Sequence, residues 1–323
     1  MKIILRLILI IITVSVFAQG AVCHAYWVWT PETKRWVNPK YAPKDTPKEQ
    51  LLYAMDFFES TEYKKALAEF KKIIKYYRRS EAASEAQYYT GRCYEALGNP
   101  YHGFESYQKV IDDYPFTNRT EEIVTRQFDI GNRLFEGEKT KYVGVSFKAF
   151  PEQIVEVYKK VVSNAPYGKN APNAQFKIGE LYKRMGFYVD AREAFEKIVA
   201  DYPDSDIITE AKFQVALCAS IASGGSAYDQ TLAEQAMREF EEFAKENPDS
   251  QLVKEALKEK GELTEKRAIA HMNTAKFYER AGKHESALLY YNKVVDGYPD
   301  SSVAASALEK AEVIEKRLER QKR

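Results

Sequence analysis

The residue types that most often carry catalysis are few in this chain and badly spaced for it. Four histidines occur, His24, His102, His271 and His284, and none belongs to an H-E-x-x-H pattern. Cys23, Cys93 and Cys218 form no Cys-x-x-Cys pair, and no acidic loop has the spacing of a calcium site. Gly224-Gly225 reads as a flexible loop, not a phosphate cradle, and no G-x-S-x-G elbow is present. Carboxylate pairs such as Glu241-Glu242 read as the solvated face of an amphipathic helix. The expectation is no enzyme: no catalytic residue, no metal ligand and no cofactor. The chemistry that remains is recognition. Leu51, Met55 and Phe58, then Tyr88, Arg92 and Glu95, then Phe128, Asn132 and Phe135 form an apolar, aromatic set with one Arg. Such a floor suits an extended peptide carrying aromatic side chains and a free carboxylate.

A regular array of helices is needed to bring those nine side chains onto one floor, and the composition allows it. The 323 residues are enough for one extended helical array or two ordinary domains. The hydrophobic fraction is 45% and the charged fraction 29%, consistent with a buried core under a solvated exterior. Tyr 23 and Phe 17 are high while Gly 15 and Pro 12 are low, which suits helices packed through aromatic rings with few breakers. Lys+Arg 48 against Asp+Glu 47 leaves the chain almost neutral, without the clustered cations that nucleic-acid binding requires. The basic end at Lys316, Arg317, Arg320, Lys322 and Arg323 reads as cations placed favourably at a helix C-terminus.

Residues 1–25 read as a secretory signal. Lys2 and Arg6 supply the positive start, residues 7–18 form an almost unbroken apolar run, and Cys23-His24-Ala25 resembles a cleavage site. The run is shorter than the roughly 20 residues of a membrane span, and no second one follows, so a soluble mature chain starting near Tyr26 is expected. Cys23 leaves a second outcome open, lipidation. Gly20-Ala21-Val22 places Val directly before the Cys with no Leu at the usual place, which favours simple cleavage. Cys93 and Cys218 fall inside expected helices and read as small buried side chains, not a disulfide.

Internal periodicity decides the fold. The tetratricopeptide signature is W-x2-L-G-x2-Y, then A-x3-F, then P, over 34 residues. Counting back from Pro203 places Ile178, Gly179 and Tyr182 in the first helix and Ala191, Phe195 and Ile198 in the second. From Pro115 the same frame gives Thr90, Gly91 and Tyr94, then Gly103, Tyr107 and Val110; from Pro299 it gives Thr274, Ala275 and Tyr278, then Ala287, Tyr291 and Val294. A first unit lacks the proline, with Tyr53, Ala54 and Phe57 before Ala66, Phe70 and Ile73. Two more fit with a lengthened turn: Ile130, Gly131 and Leu134 with Ile154, Tyr158, Val161 and Pro166, and Val215, Ala216 and Ala219 with Ala236, Phe240, Phe243 and Pro248. About six helix pairs in one register predict an all-α tetratricopeptide-repeat superhelix with a C-terminal capping helix. Small residues let antiparallel helices approach, aromatic sites fill the space between pairs, and the array closes on a concave groove lined by the first helix of each pair. The Tyr-Pro-Asp-Ser runs at 202–205 and 298–301 are expected to end one helix and cap the next.

Three stretches break the period. Residues 137–150 and 220–229 are expected as loops between paired helices, and 252–281 as one helix of about 30 residues, roughly 45 Å long at 1.5 Å per residue. Residues 303–320 read as the final solvating helix. Residues 26–46 hold all three Trp, Trp27, Trp29 and Trp36, and their alternation around 31–34 suggests a hairpin or extended strand pair. An isolated hairpin is marginal in water and should dock on something. Docking on the first repeat of its own chain and a partner- or cell-wall-binding role both remain open, as does whether this arm covers the groove floor. The resulting division is 1–25 signal, 26–46 Trp-rich arm, 47–205 N-terminal repeats, and 206–323 C-terminal repeats with the capping helix.

With the repeats placed, the chain resembles the outer-membrane assembly factor BamD family. The similarity is concentrated at 228–301: Tyr228-Asp-Gln-Thr, Ala236-Met-Arg-Glu-Phe240, Asn247-Pro-Asp-Ser-Gln251, Phe277-Tyr-Glu-Arg-Ala-Gly282 and Gly297-Tyr-Pro-Asp-Ser301, joined by the long helix. Residues 48–136 are similar to that family's first units in a more general way. The resemblance implies a periplasmic scaffold at the inner face of the outer membrane. Its N-terminal repeats would receive unfolded barrel-protein peptides, and its C-terminal repeats would hold outer-membrane assembly subunits. A second resemblance, through the Tyr-Pro-Asp-Ser repeats, is to the Tol-Pal coordinator, and implies a soluble periplasmic adaptor of the Tol-Pal or cell-wall machinery. That family carries an N-terminal coiled coil, and no sustained heptads precede the repeats here.

Overall fold

The computed structural model describes residues 27–30, 35–38, 42–142, 145–224 and 230–322. The expected signal and Cys23 lie outside the described residues. The chain divides into two compact units, one ending at Thr117 and the other beginning at Asn118.

The first unit holds a hairpin and four helices: β1 (Val28–Thr30), β2 (Arg35–Val37), α1 (Pro47–Glu59), α2 (Tyr63–Tyr76), α3 (Glu81–Ala96) and α4 (Pro100–Asp113). The strands pair antiparallel with Trp29 opposite Trp36, which is the strand pair that the aromatic alternation suggested. Thr46 starts α1 by accepting from the Glu49 N–H at 3.2 Å, ahead of a proline whose missing donor costs nothing in a first turn. Ala54, Ala66, Phe70 and Ile73 are fully buried between α1 and α2, as the repeat register required.

The second unit runs α5 (Thr120–Phe135), β3 (Lys139–Tyr142), β4 (Val145–Lys148), α6 (Pro151–Asn164), α7 (Ala171–Arg184), α8 (Tyr188–Asp201), α9 (Ile208–Gly224), α10 (Gln230–Glu246), α11 (Val253–Arg280), α12 (His284–Gly297) and α13 (Ala304–Lys322). Thirteen helices thus make six consecutive pairs and a terminal helix among the described residues, an all-α repeat fold. The long helix has 28 residues, close to the sequence expectation. Residues 137–150 are not a loop. They form the β3–β4 hairpin, with Thr140 opposite Phe147 and Thr140 buried. The alternation Lys139-Thr140-Lys141-Tyr142 and Val145-Ser146-Phe147-Lys148 carries the strand signal, which has no expression in a helix period. In the second expected loop, helix continues to Gly224, and 225–229 lie outside the described residues.

Two local devices recur among the pairs. The first is close approach: a Cβ at Gly91 would lie 2.5 Å from Tyr107, and one at Gly179 would lie 2.6 Å from Phe195, so only hydrogen fits beneath the ring. The second is a left-handed residue between the paired helices. Gly98, Gly186 and Gly282 have φ of 72°, 80° and 73°, and the next N–H bonds back five residues, as Asn99 does to the Tyr94 carbonyl at 2.9 Å. Thr61 takes that place in the first pair with φ 59° and carries the strain of a β-branched side chain there. In the Tyr-Pro-Asp-Ser run at 202–205 the turn closes through Ser205 N–H to the Tyr202 carbonyl at 3.1 Å.

Buried glutamines form a pattern that the sequence reading missed. Gln50, Gln87, Gln127 and Gln175 each precede the small site by one turn and are buried. Gln87 and Gln175 donate from Nε2 to the Ser106 and Ala194 carbonyls, both at 3.0 Å, in the partner helix. A buried amide left without such a partner would be costly, so these bonds fix the height at which paired helices dock. In the last pair the same place holds His271, stacked on Tyr298 at 5.6 Å between ring centroids, and burial beside Arg267 lowers its pKa.

Candidate peptide-binding faces

In the first unit, the residues expected to line a floor lie on α1 and α3. Leu51, Met55 and Phe58 are half-buried against the cluster around Ala54 and Phe70. The Phe58 ring meets Tyr89 edge to face at 5.1 Å and Tyr63 at 5.5 Å, which holds it upright. The Arg92 guanidinium lies 5.8 Å from the Phe58 centroid, and its Nη1 donates to the Tyr88 hydroxyl at 3.3 Å. No carboxylate pairs with Arg92 among the described residues, so its remaining donors are available to an incoming anion. Glu95 is half-buried and accepts a short hydrogen bond from the Tyr107 hydroxyl.

Tyr88 departs from the expectation. Only 1% of it is exposed, and its ring packs on Tyr107 at 5.6 Å and on Tyr89 at 5.2 Å. It lies on the helical stripe of Arg92, but the ring that Gly91 admits from α4 closes over it. It orients Arg92 from beneath and offers no surface to a ligand.

In the second unit, Phe128, Asn132 and Phe135 lie along α5 and are all half-buried. Phe128 packs edge-on to Tyr158 at 6.0 Å, and Asn132 Oδ1 accepts from the Tyr158 hydroxyl at 2.8 Å. Burial first, with Glu180 and Glu136 nearby, raises the Tyr158 pKa, so the phenol stays a donor at every physiological pH. Phe135 is flanked by two cations from α7, Arg184 at 3.9 Å and Lys177 at 4.4 Å from its ring centroid. Lys177 also pairs with Glu180 at 2.7 Å, whereas Arg184 has no carboxylate partner among the described residues. The sequence reading named Phe135 and missed both cations. The signal was present: α7 is the first helix of the next pair and occupies the equivalent side.

Arg92 beside Phe58 and Arg184 beside Phe135 therefore repeat one arrangement, a guanidinium beside an aromatic ring with no carboxylate partner among the described residues. It can take a carboxylate in two hydrogen bonds while the ring packs an apolar neighbour of that carboxylate. A separate cleft of about 440 Å³ is lined in part by Val199, Lys212, Val215, Glu239 and Phe243. Arg192 crosses to Glu239 at 2.7 Å there, and burial raises the Glu239 pKa. Among the described residues no three His, Cys, Asp or Glu side chains converge on a metal position. No described helix is long and apolar enough to cross a membrane.

A protein-family model described as YfiO, outer membrane lipoprotein, matches residues 155–323, and a tetratricopeptide-repeat model matches residues 85–117. Comparison with curated proteins found no match. Among solved structures, the C-terminal part of a tetratricopeptide-repeat protein from Cytophaga hutchinsonii is 17% identical; the alignment covers 82% of this chain and 88% of that one, with TM-score 0.35. A tetratricopeptide-repeat protein from Parabacteroides merdae is 16% identical, over 82% of this chain and 98% of that one, with TM-score 0.33. A thermophilic repeat protein from Thermus thermophilus is 16% identical, over 66% and 98%, with TM-score 0.31.

Proposed function

Because the chain belongs to the YfiO outer membrane lipoprotein family, we propose that it is a periplasmic scaffold of outer-membrane β-barrel assembly, receiving unfolded barrel-protein peptides on its repeats. Its tetratricopeptide repeats are a scaffold for protein–protein interaction, and its family is one of the cell envelope. The finer reading is supported above all by the repeated guanidinium-over-ring arrangement at Arg92–Phe58 and Arg184–Phe135. Extended segments rich in aromatic residues and ending in a carboxylate match it in shape and charge. In this reading Leu51, Met55, Phe58, Arg92 and Glu95 act in the first unit, and Phe128, Asn132 and Phe135 in the second.

Phe58→Ala combined with Phe128→Ala is the direct test. Binding of a C-terminal barrel-protein peptide is expected to fall at least tenfold by titration, with helicity unchanged by circular dichroism; unchanged binding removes these faces from the mechanism. Co-purification from native membranes addresses the assembly itself. Recovery with a barrel-assembly subunit supports the scaffold, whereas recovery with Pal or peptidoglycan moves the protein to the Tol-Pal or cell-wall machinery. Intact mass of the native protein decides the fate of Cys23: a lipid-modified Cys23 in the outer-membrane fraction fits the scaffold, and an unmodified soluble chain starting near Tyr26 fits the adaptor.

A further inference from the structure

The N-terminal hairpin carries a surface that the repeat scaffold does not use. Side chains alternate between faces along a strand and cross-strand partners share a face. Trp27, Trp29 and Trp36 therefore lie on one side of the β1–β2 ribbon, with Val28 on the other. They are 62%, 47% and 62% exposed, and Val28 is 40% exposed. These four side chains are thus open to solvent. Trp29 and Trp36 pack edge to face with centroids 6.0 Å apart and planes at 62°, which braces the pair as one aromatic wedge. A two-stranded ribbon is marginal alone in water, so an exposed three-indole face on it calls for a surface to rest on.

We propose that this face docks in the interfacial region of a phospholipid bilayer. Indole is the side chain best suited to that layer, because its ring is apolar and its N–H still finds a polar partner at headgroup depth. Charge agrees: between Trp27 and Tyr41 the chain has Lys34, Arg35 and Lys40 against one carboxylate, Glu32, which favours anionic headgroups. Position agrees as well. Trp27 is four residues beyond Cys23, so a lipid on that Cys would hold the hairpin within about 14 Å of the bilayer at ~3.4 Å per residue. A lipid-modified Cys of this kind carries more than one acyl chain, so the wedge would set how the hairpin meets the surface and not whether the chain stays on it. A sugar-binding platform would need an indole face laid open beside polar side chains, whereas here one ring's edge abuts the other's face.

All three Trp of the chain are in this arm, so fluorescence excited selectively at tryptophan reports on it and not on the tyrosines of the repeats. The protein, extracted from its native envelope in the form the cell holds it, is reconstituted into phosphatidylethanolamine–phosphatidylglycerol vesicles. Emission is expected to shift to the blue, acrylamide quenching to drop several-fold, and lipids brominated near the headgroup to quench more than lipids brominated at the chain ends. Emission that stays at the wavelength of exposed indole while the protein floats with the vesicles overturns the proposal. So does a blue shift that needs added peptidoglycan or an envelope protein. Trp29→Ser with Trp36→Ser keeps Trp27 as reporter and should abolish its shift with helicity unchanged; a retained shift also overturns the wedge. Peptide binding at the repeat faces is a separate readout, so failure of either reading leaves the other standing.

Discussion

At Gly179 a methyl group would lie 2.6 Å from the Phe195 ring, whereas at Gly261, inside the long helix α11, it would meet nothing within 4 Å. Gly179→Ala is therefore expected to lower stability by about 1–3 kcal/mol through overpacking. Gly261→Ala should raise it by about 0.5–1 kcal/mol through helix propensity. Denaturant titration of both variants checks the pair, and equal effects would refute the close-approach argument. Thr61 offers a second residue-scale test. Its left-handed φ of 59° is unfavourable for a β-branched side chain, so Thr61→Gly should stabilise by about 0.5–1 kcal/mol despite the added freedom of the unfolded chain. Burial pushes the Cys93 thiol up to about 12 and the Cys218 thiol up to about 11, so both should stay silent to alkylation at neutral pH until the protein unfolds. At this scale the sequence was legible where a residue type has one use, as with the glycine beneath a ring. It was misleading at Tyr88, where a stripe position was covered by a side chain from another helix.

Among the elements, the β3–β4 hairpin is joined to the helix before it by a charged clasp. Arg133 in α5 holds Glu138 through Nε at 2.6 Å and Nη2 at 2.8 Å, just after Gly137 turns the chain with φ 94°. The Arg133 hydrogen bond lowers the Glu138 pKa below its ordinary 4.5. The native pKa is the depressed one, so this contribution is fully present above about pH 4.5 and is lost as pH falls through the lower native value. Hydrogen-exchange protection within 139–148, taken relative to the intrinsic rate at each pH, should therefore fall at acid pH. Glu138→Gln should show the lower protection already at neutral pH, with the surrounding helices unchanged; equal protection at both pH values would mean the clasp does not hold the hairpin. Elements defined by a helix period were legible in the sequence, including the long α11. This short insertion was not, because four-residue strands leave little periodic signal next to strong helices.

For the molecule as a whole, a repeat array gains stability from each pair and from the contact with its neighbour. The last pair is closed by α13, whose Ala307, Ala311 and Ile314 are buried with Tyr291 and Val294. Ile314→Ala should cost about 2–5 kcal/mol locally and reduce hydrogen-exchange protection in α11–α13, leaving α1–α4 unchanged. Uniform loss across the chain would mean that the units unfold as one.

The sequence by itself determined the repeat frame, about six pairs with their terminal helix, the Tyr-Pro-Asp-Ser turns that end two of the helices, and the strand pair of the Trp-rich arm. All of these follow from backbone periodicity and from side chains whose effect stays within a few residues. Only the tertiary structure decided that Tyr88 is covered while Arg92 remains accessible, and that Phe135 gains two cations from the following pair. It also placed Gln87 and Gln175 so that their amides fix the height of the partner helix. Those outcomes depend on which ring or guanidinium a separate helix brings to the same place, and a position's own neighbours in the chain carry no record of that.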